Sequence, residues 1–165
     1  MARQFLILTF LTFLFKLSFS QSNFEIDSLL FDLYTTDSSK DLSTRPQAKR
    51  ILAYGDKVLP ILALKFLDTI QTNVKSHCQD FYLTRGEVAI IMADRIELMP
   101  YATLTGIQNC LLEFCKDNPN FIEYYLYAVR RDKVQAFQRK YLDWLQSRDR
   151  RKWTPYLTNK KKRNT

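Results

Sequence analysis

Glycine and proline are scarce in this chain, at three and five of 165 residues. That leaves little material for the tight turns that an all-β sandwich or barrel needs between its short strands. Histidine is scarcer still: His77 stands alone, which removes histidine dyads and the HExxH spacing of zinc hydrolases together. No glycine-rich phosphate loop and no GxSxG elbow occurs. Past residue 20 no stretch reaches the eighteen or so apolar residues that a membrane-crossing helix requires. Cysteine is limited to Cys78, Cys110 and Cys115.

What is present is a chain 46% hydrophobic and 14% aromatic, enough for one well-buried core and too short for two ordinary domains. The first twenty residues, MARQFLILTFLTFLFKLSFS, have a basic start at Arg3, an apolar run from Phe5 to Phe15, and small Ser18 and Ser20 before Gln21. That pattern predicts a secretory signal, residues 1–20, cleaved after Ser20 to release a secreted or periplasmic chain without a transmembrane anchor. The formal charge of +8 is unevenly placed. Residues 148–165 hold eight Lys/Arg and one Asp, whereas residues 21–147 hold 15 basic and 16 acidic side chains. The basicity therefore belongs to a C-terminal tail and not to the 21–147 domain, so nucleic acid is not an expected partner.

In an oxidising compartment one cysteine pair can bridge. Cys110 and Cys115, five residues apart, point about 140° from each other on a helix, which leaves Cys78 as the partner of either Cys110 or Cys115. Such a bridge closes a loop of roughly 33 to 38 residues. Zinc ligation by His77, Cys78, Cys110 and Cys115 has suitable atoms, but it lacks the CxxC spacing that makes such a site specific, and no metal or other cofactor is expected.

Helix signals recur with their own punctuation. Phe24, Leu29, Leu30 and Leu33 predict a leading helix, and Thr35 to Ser43 a polar loop. Thr44 and Gln47 have capping-box spacing before a helix with Pro46 in its first turn, ending near Tyr54 where Gly55 can take the left-handed cap. Asp56 starts a second helix carrying Leu59, Leu62, Phe66 and Ile70. Thr84 and Glu87 form another capping box, for a helix running to about Leu98 that Pro100 closes. A helix from about Leu104 to Lys116 carries Leu104, Ile107, Leu111 and Phe114. Asn118 caps a further helix that opens on Pro119, and Val134, Phe137, Tyr141, Trp144 and Leu145 mark the last apolar stripe.

The fold class is therefore all-α, built of antiparallel helical hairpins. Setting Arg50-Ile51 on Arg95-Ile96, an offset of 45 residues, also places Leu62 on Ile107 and Phe66 on Leu111. On that spacing the chain resembles the HEAT and armadillo paired-helix repeats. The resemblance implies a right-handed array of helix pairs used to present a binding surface. A compact irregular helical bundle is the alternative arrangement.

Function is legible only as candidates. In LTRGEVAIIMADRIELMPY the acids Glu87, Asp94 and Glu97 share an arc of one helix with hydrophobes. Buried there they need partners: a cation from the preceding pair for Asp94, and another helix for Arg95. The segment MPYATLTGIQNC adds a polar ridge at an interhelix connection, so Glu87, Asp94, Tyr101, Thr105, Gln108 and Asn109 are the candidate binding residues. In the tail, Arg150, Arg151, Lys152, Lys160, Lys161, Lys162 and Arg163 interleave with Trp153 and Tyr156, a mixture that suits an anionic surface. The favoured expectation is a non-catalytic protein that docks on a protein partner, with an immunity-like or chaperone-like role as its specific form. The alternatives are a glycan-acting enzyme of the envelope using the Glu87 and Asp94 carboxylates in the wide spacing of inverting glycosidases, or an anion-binding structural protein working through its tail.

Overall fold

The computed structural model describes residues 23–108 and 115–152, which form a mostly helical body with one small sheet. Helix α1 spans residues 23–33 and turns Ile26, Leu29, Leu30 and Leu33 inward. That i, i+3, i+4, i+7 spacing is one apolar stripe, and each side chain fully withdrawn from water contributes about 1.5–3 kcal/mol before entropy is counted. A 3-10 turn, Ser39–Thr44, then leads to α2, Pro46–Ala53. Thr44 does not cap α2. Its hydroxyl donates to the Asp41 carbonyl (2.7 Å), Arg45 is the N-cap without a side-chain bond, and Pro46 supplies the preset first-turn geometry instead. Gly55 takes the expected left-handed conformation (φ 61°), and after the turn Gly55–Val58 the short α3, Leu59–Lys65, buries Leu59, Ile61, Leu62 and Ala63.

Ile70 lies beyond α3, contrary to the helical reading of that stretch. The chain straightens into β1, Gln71–Lys75, and pairs antiparallel with β2, Tyr82–Thr84. In β1 the β-branched Thr72 and Val74 alternate inward, and the Thr72 hydroxyl donates to the Leu83 carbonyl (2.7 Å), a period-2 pattern too short to stand out among helical ones. Tyr34 and the segment read as a polar loop, Thr35 to Ser43, close the other side of β1: Asn73 and Lys75 donate their amides to the Tyr34 and Asp37 carbonyls, both at 3.0 Å.

Helix α4, Arg85–Ile96, is the centre of the body. The predicted capping box is formed: the Glu87 amide donates to Thr84 Oγ1 (3.2 Å), and the Thr84 amide donates to Glu87 Oε2 (2.8 Å). Every residue from Gly86 to Asp94 is buried. Helix α5 is shorter and earlier than the predicted 104–116 helix. It spans Tyr101–Thr105 and stops because Gly106 adopts φ 72°, a left-handed C-cap; Leu111 and Phe114 lie outside the described residues. The helix predicted from Asn118 is a 3-10 turn, Phe121–Tyr125, followed by α6, Leu126–Arg131. Helix α7, Val134–Gln146, buries Phe137, Tyr141 and Trp144 as its stripe requires, with the Phe137 and Tyr141 rings 5.9 and 5.3 Å from Phe66 of the α3 end. Residues Arg148–Lys152, assigned to the tail, form a last helical turn, α8.

Candidate functional site

The two carboxylates that open the functional question are both spoken for inside the fold. Glu87 is almost fully buried, and besides its capping bond it takes a bidentate pair from Arg130 of α6, Nε on Oε1 and Nη2 on Oε2 (2.7 Å). The guanidinium also lies 3.8 Å over the Phe81 ring, so one ion pair ties the hairpin, α4 and α6 together.

Asp94 lacks the cation expected for it. Its Oδ1 accepts the Met99 amide (2.9 Å) and its Oδ2 the Tyr101 hydroxyl (3.1 Å), which fixes the turn from α4 into α5. Burial pushes its pKa up to about 7, against the lowering effect of those two hydrogen bonds and of Arg95. Burial and the adjacent Asp94 raise Tyr101 as well. Arg95 does reach out of its helix, but to the Pro119 carbonyl (3.1 Å) and not to an acid.

The raised Asp94 carboxyl makes a signed prediction. Because the folded state holds this proton more tightly than the unfolded chain, the group's contribution to stability is complete below about pH 4 and is lost as pH climbs through about 7. Asp94→Asn keeps an acceptor for the Met99 amide and removes the titration. Its melting temperature relative to the parent should therefore rise between pH 4.5 and 7.5; a constant difference across that range would contradict the assignment.

Of the remaining candidate ridge, Thr105 donates to the Tyr101 carbonyl (2.7 Å) and accepts the Ile107 amide (3.3 Å), closing α5, while Gln108 is exposed and Asn109 lies outside the described residues. Tyr101 stacks on Tyr125 with ring centroids 4.5 Å apart. Asp94, Tyr101 and Thr105 are thus linked by hydrogen bonds that brace the turn from α4 into α5, while Glu87 caps the other end of α4.

A second polar cluster has no counterpart in the sequence reading. Glu123 is completely buried and accepts from the Ser76 hydroxyl (2.6 Å) and Asn118 Nδ2 (2.9 Å). Asn118 Oδ1 accepts the Asn120 amide (2.9 Å), Asn120 Nδ2 donates to the Ser39 carbonyl (2.7 Å), and the Ser39 hydroxyl accepts the His77 amide (2.9 Å). The cluster surrounds a disulfide joining Cys78 to Cys115, and Asn118 Nδ2 sits 3.2 Å from Cys78 Sγ. Its only signal in sequence is an acid set in an aromatic run, FIEYY, just after two asparagines around a proline. The bridge engages two of the four atoms considered for zinc; Cys110 lies outside the described residues, and among those described no group of His, Cys, Asp and Glu is arranged to hold a metal.

In the tail, Arg150 is drawn into the body. It pairs with Glu97 through Nε (2.9 Å) and Nη2 (2.7 Å), donates to the Leu145 carbonyl (3.3 Å), and lies 3.6 Å from Asp56. It therefore leaves the anion-binding set. Arg151 and Lys152 are exposed; Lys160, Lys161, Lys162 and Arg163 lie outside the described residues.

Among the described residues Leu64, Ile70 and Tyr82 are exposed, and two further large apolar side chains left out of the packing share one face of α1. Opposite its buried stripe, Phe24 is 78% and Phe31 61% exposed, with exposed Ser28 between them. Ion pairs flank this ridge on both sides, Asp27 with Lys65 (2.5 Å) and Glu25 with Arg50 (2.7 Å), and Tyr34 continues it edge-on to Phe31. Two exposed phenylalanines on one helix face are more than scattered surface apolarity. Amphipathic patterning hid them, since the same helix also supplies a normal core stripe.

Comparison with protein-family models, with curated proteins and with solved structures finds no match to this chain. Fold and site define its class only as a mostly helical protein with a two-stranded sheet and an internal disulfide, in which no described helix is long and apolar enough to cross a membrane.

Proposed function

We propose that this chain is an exported, secreted or periplasmic, non-catalytic binding protein that docks on a protein partner through the outer ridge of α1. The observation that carries the reading is the pair Phe24 and Phe31, held outward on a helix whose opposite face is locked into the core. Such a ridge, flanked by Asp27 and Glu25 that are already paired at short distance, offers apolar surface with few ions to strip of water. Export is supported by the leader pattern of residues 1–20 and by the Cys78–Cys115 bridge, which persists in oxidising compartments. The internal duties of Glu87 and Asp94 favour docking over glycan chemistry. The hairpin set between α3 and α4 favours a compact irregular bundle over a HEAT-like array.

Phe24→Ser with Phe31→Ser tests the role. These side chains contribute little to the core, so the melting temperature should stay within a few degrees of the parent. Proteins recovered by cross-linking with the parent should fall at least about tenfold with the double variant, the scale of losing one buried aromatic anchor. Undiminished recovery would contradict the docking role.

A further inference from the structure

Independently of the α1 ridge, we infer that the C-terminal end of the body is a cationic surface that adsorbs to a membrane rich in anionic phospholipid. Its fixed part is the turn α8, and the chain of residues 153–165 extends it. The structure divides the basic residues of this region by duty. Arg150 is already engaged: it pairs with Glu97 (2.7 Å), lies 3.6 Å from Asp56 and sits 5.9 Å over the Trp144 ring, which fastens α8 to the body. Ser147 fastens the start of the turn, its hydroxyl accepting the Arg150 amide (3.1 Å) as an N-cap does.

With Arg150 turned inward, helical spacing puts Arg148 and Lys152 about 160° away from it on either side and Arg151 about 100° away. All three are exposed. Lys57 joins them from a distant part of the sequence, exposed in the Gly55–Val58 turn next to the Asp56 that lies against Arg150. Among the described residues none of these four cations is in an ion pair. Asp149 is the single acid of residues 148–165.

Two features set this apart from a solvated charge run. Like charges three and four apart on a helix repel, and Arg148 stands in both relations, to Arg151 and to Lys152, on a turn that Ser147 and Arg150 hold in place. An anionic surface relieves that repulsion. The following sequence supplies the second feature, because WTPYL, residues 153–157, stands between RDRRK and KKKR. Tryptophan and tyrosine favour the headgroup level of a bilayer, which accommodates an apolar ring and its polar edge together. A soluble polyanion offers the cations the same phosphates or sulfates, but no apolar layer for Trp153 and Leu157. Each Lys or Arg brought to an anionic lipid surface strengthens partition by about fivefold.

The test is co-sedimentation of the chain from Gln21 onward, which keeps every described residue and omits the apolar leader, with lipid vesicles. These are made of phosphatidylcholine alone, or carry about 30% phosphatidylserine. Binding to the mixed vesicles and not to the neutral ones is expected at about 0.1 M salt, with loss at about 1 M, where screening is complete within ~3 Å. Arg148→Gln with Arg151→Gln and Lys152→Gln should weaken it about a hundredfold, and Lys57→Gln alone about fivefold. Lys133→Gln, at the far end of α7 and on the order of 20 Å from α8, should leave it unchanged. All of these side chains are exposed, so melting temperatures should stay within a few degrees of the parent. Trp153→Ser with Tyr156→Ser should weaken binding to vesicles but not to heparin.

Equal binding to mixed and neutral vesicles, or vesicle binding that the triple variant and Lys57→Gln both leave intact, would overturn the inference. Vesicle binding indifferent to the aromatic pair, with tighter binding to heparin at equal anionic charge, would assign the patch to a soluble polyanion and overturn the lipid.

Discussion

Serine at both Cys78 and Cys115 is expected to lower stability by about 3–4 kcal/mol, the chain-entropy value for a bridge spanning 37 residues. The loss has a structural side as well. The bridge pins residue 115 beside the hairpin turn, and that position lets Asn118 reach both Cys78 and the fully buried Glu123. When the segment around residue 118 drifts, Glu123 loses one of the donors that make its burial tolerable. The midpoint of guanidinium unfolding should therefore fall for the double variant, and a reductant should move the parent by a similar amount. A shift corresponding to under about 1 kcal/mol would mean that the bridge constrains little.

Gly86→Ala should be at least as damaging, at about 3 kcal/mol or more, the upper range for overpacking. A Cβ on Gly86 would stand 2.2 Å from the Phe66 carbonyl oxygen and 3.0 Å from that of Asp68. Both are backbone atoms, and the Gly86 amide already donates to Asp68 (2.9 Å), so neither side can step aside without breaking the contact between α3 and the start of α4. Gly55→Ala is the control. Its φ is positive but nothing lies within 4 Å of the added carbon, so only about 1 kcal/mol of backbone strain is expected. Thermal unfolding of the two variants should separate by several degrees; equal melting points would show that the α3–α4 approach is soft.

These contacts show where sequence was a good guide and where it was not. The Thr84–Glu87 capping box, the left-handed Gly55 and the α7 stripe were legible because each is a local rule, settled within one or two turns of helix. The β-hairpin was not. Thr72 and Val74 give just two inward positions, and the strand depends on pairing with β2 and on Tyr34 and Asp37, far back in the chain, which accept its amides. Gly86 carries no local signal, since its role appears only once the carbonyl of Phe66 is placed beside it. Glu87 and Asp94 were correctly read as buried, but their partners, Arg130 and the Met99 amide with Tyr101, depend on tertiary placement. For the same reason the duties of Tyr101 and Thr105 were not legible: threonine and tyrosine at a helix connection look alike whether they cap or recognise. The α1 ridge escaped because a phenylalanine in an amphipathic helix is ordinarily counted into the core, and only burial distinguishes Phe24 from Leu30.

The most direct measurement of the docking role places a photo-activated cross-linking residue at position 28, between the two phenylalanines, or at position 108 of the candidate ridge, in the full chain produced in its own cell. The account predicts protein adducts from position 28 that disappear when Phe24 and Phe31 are serine, and few from position 108. Adducts from 108 and none from 28 would contradict it.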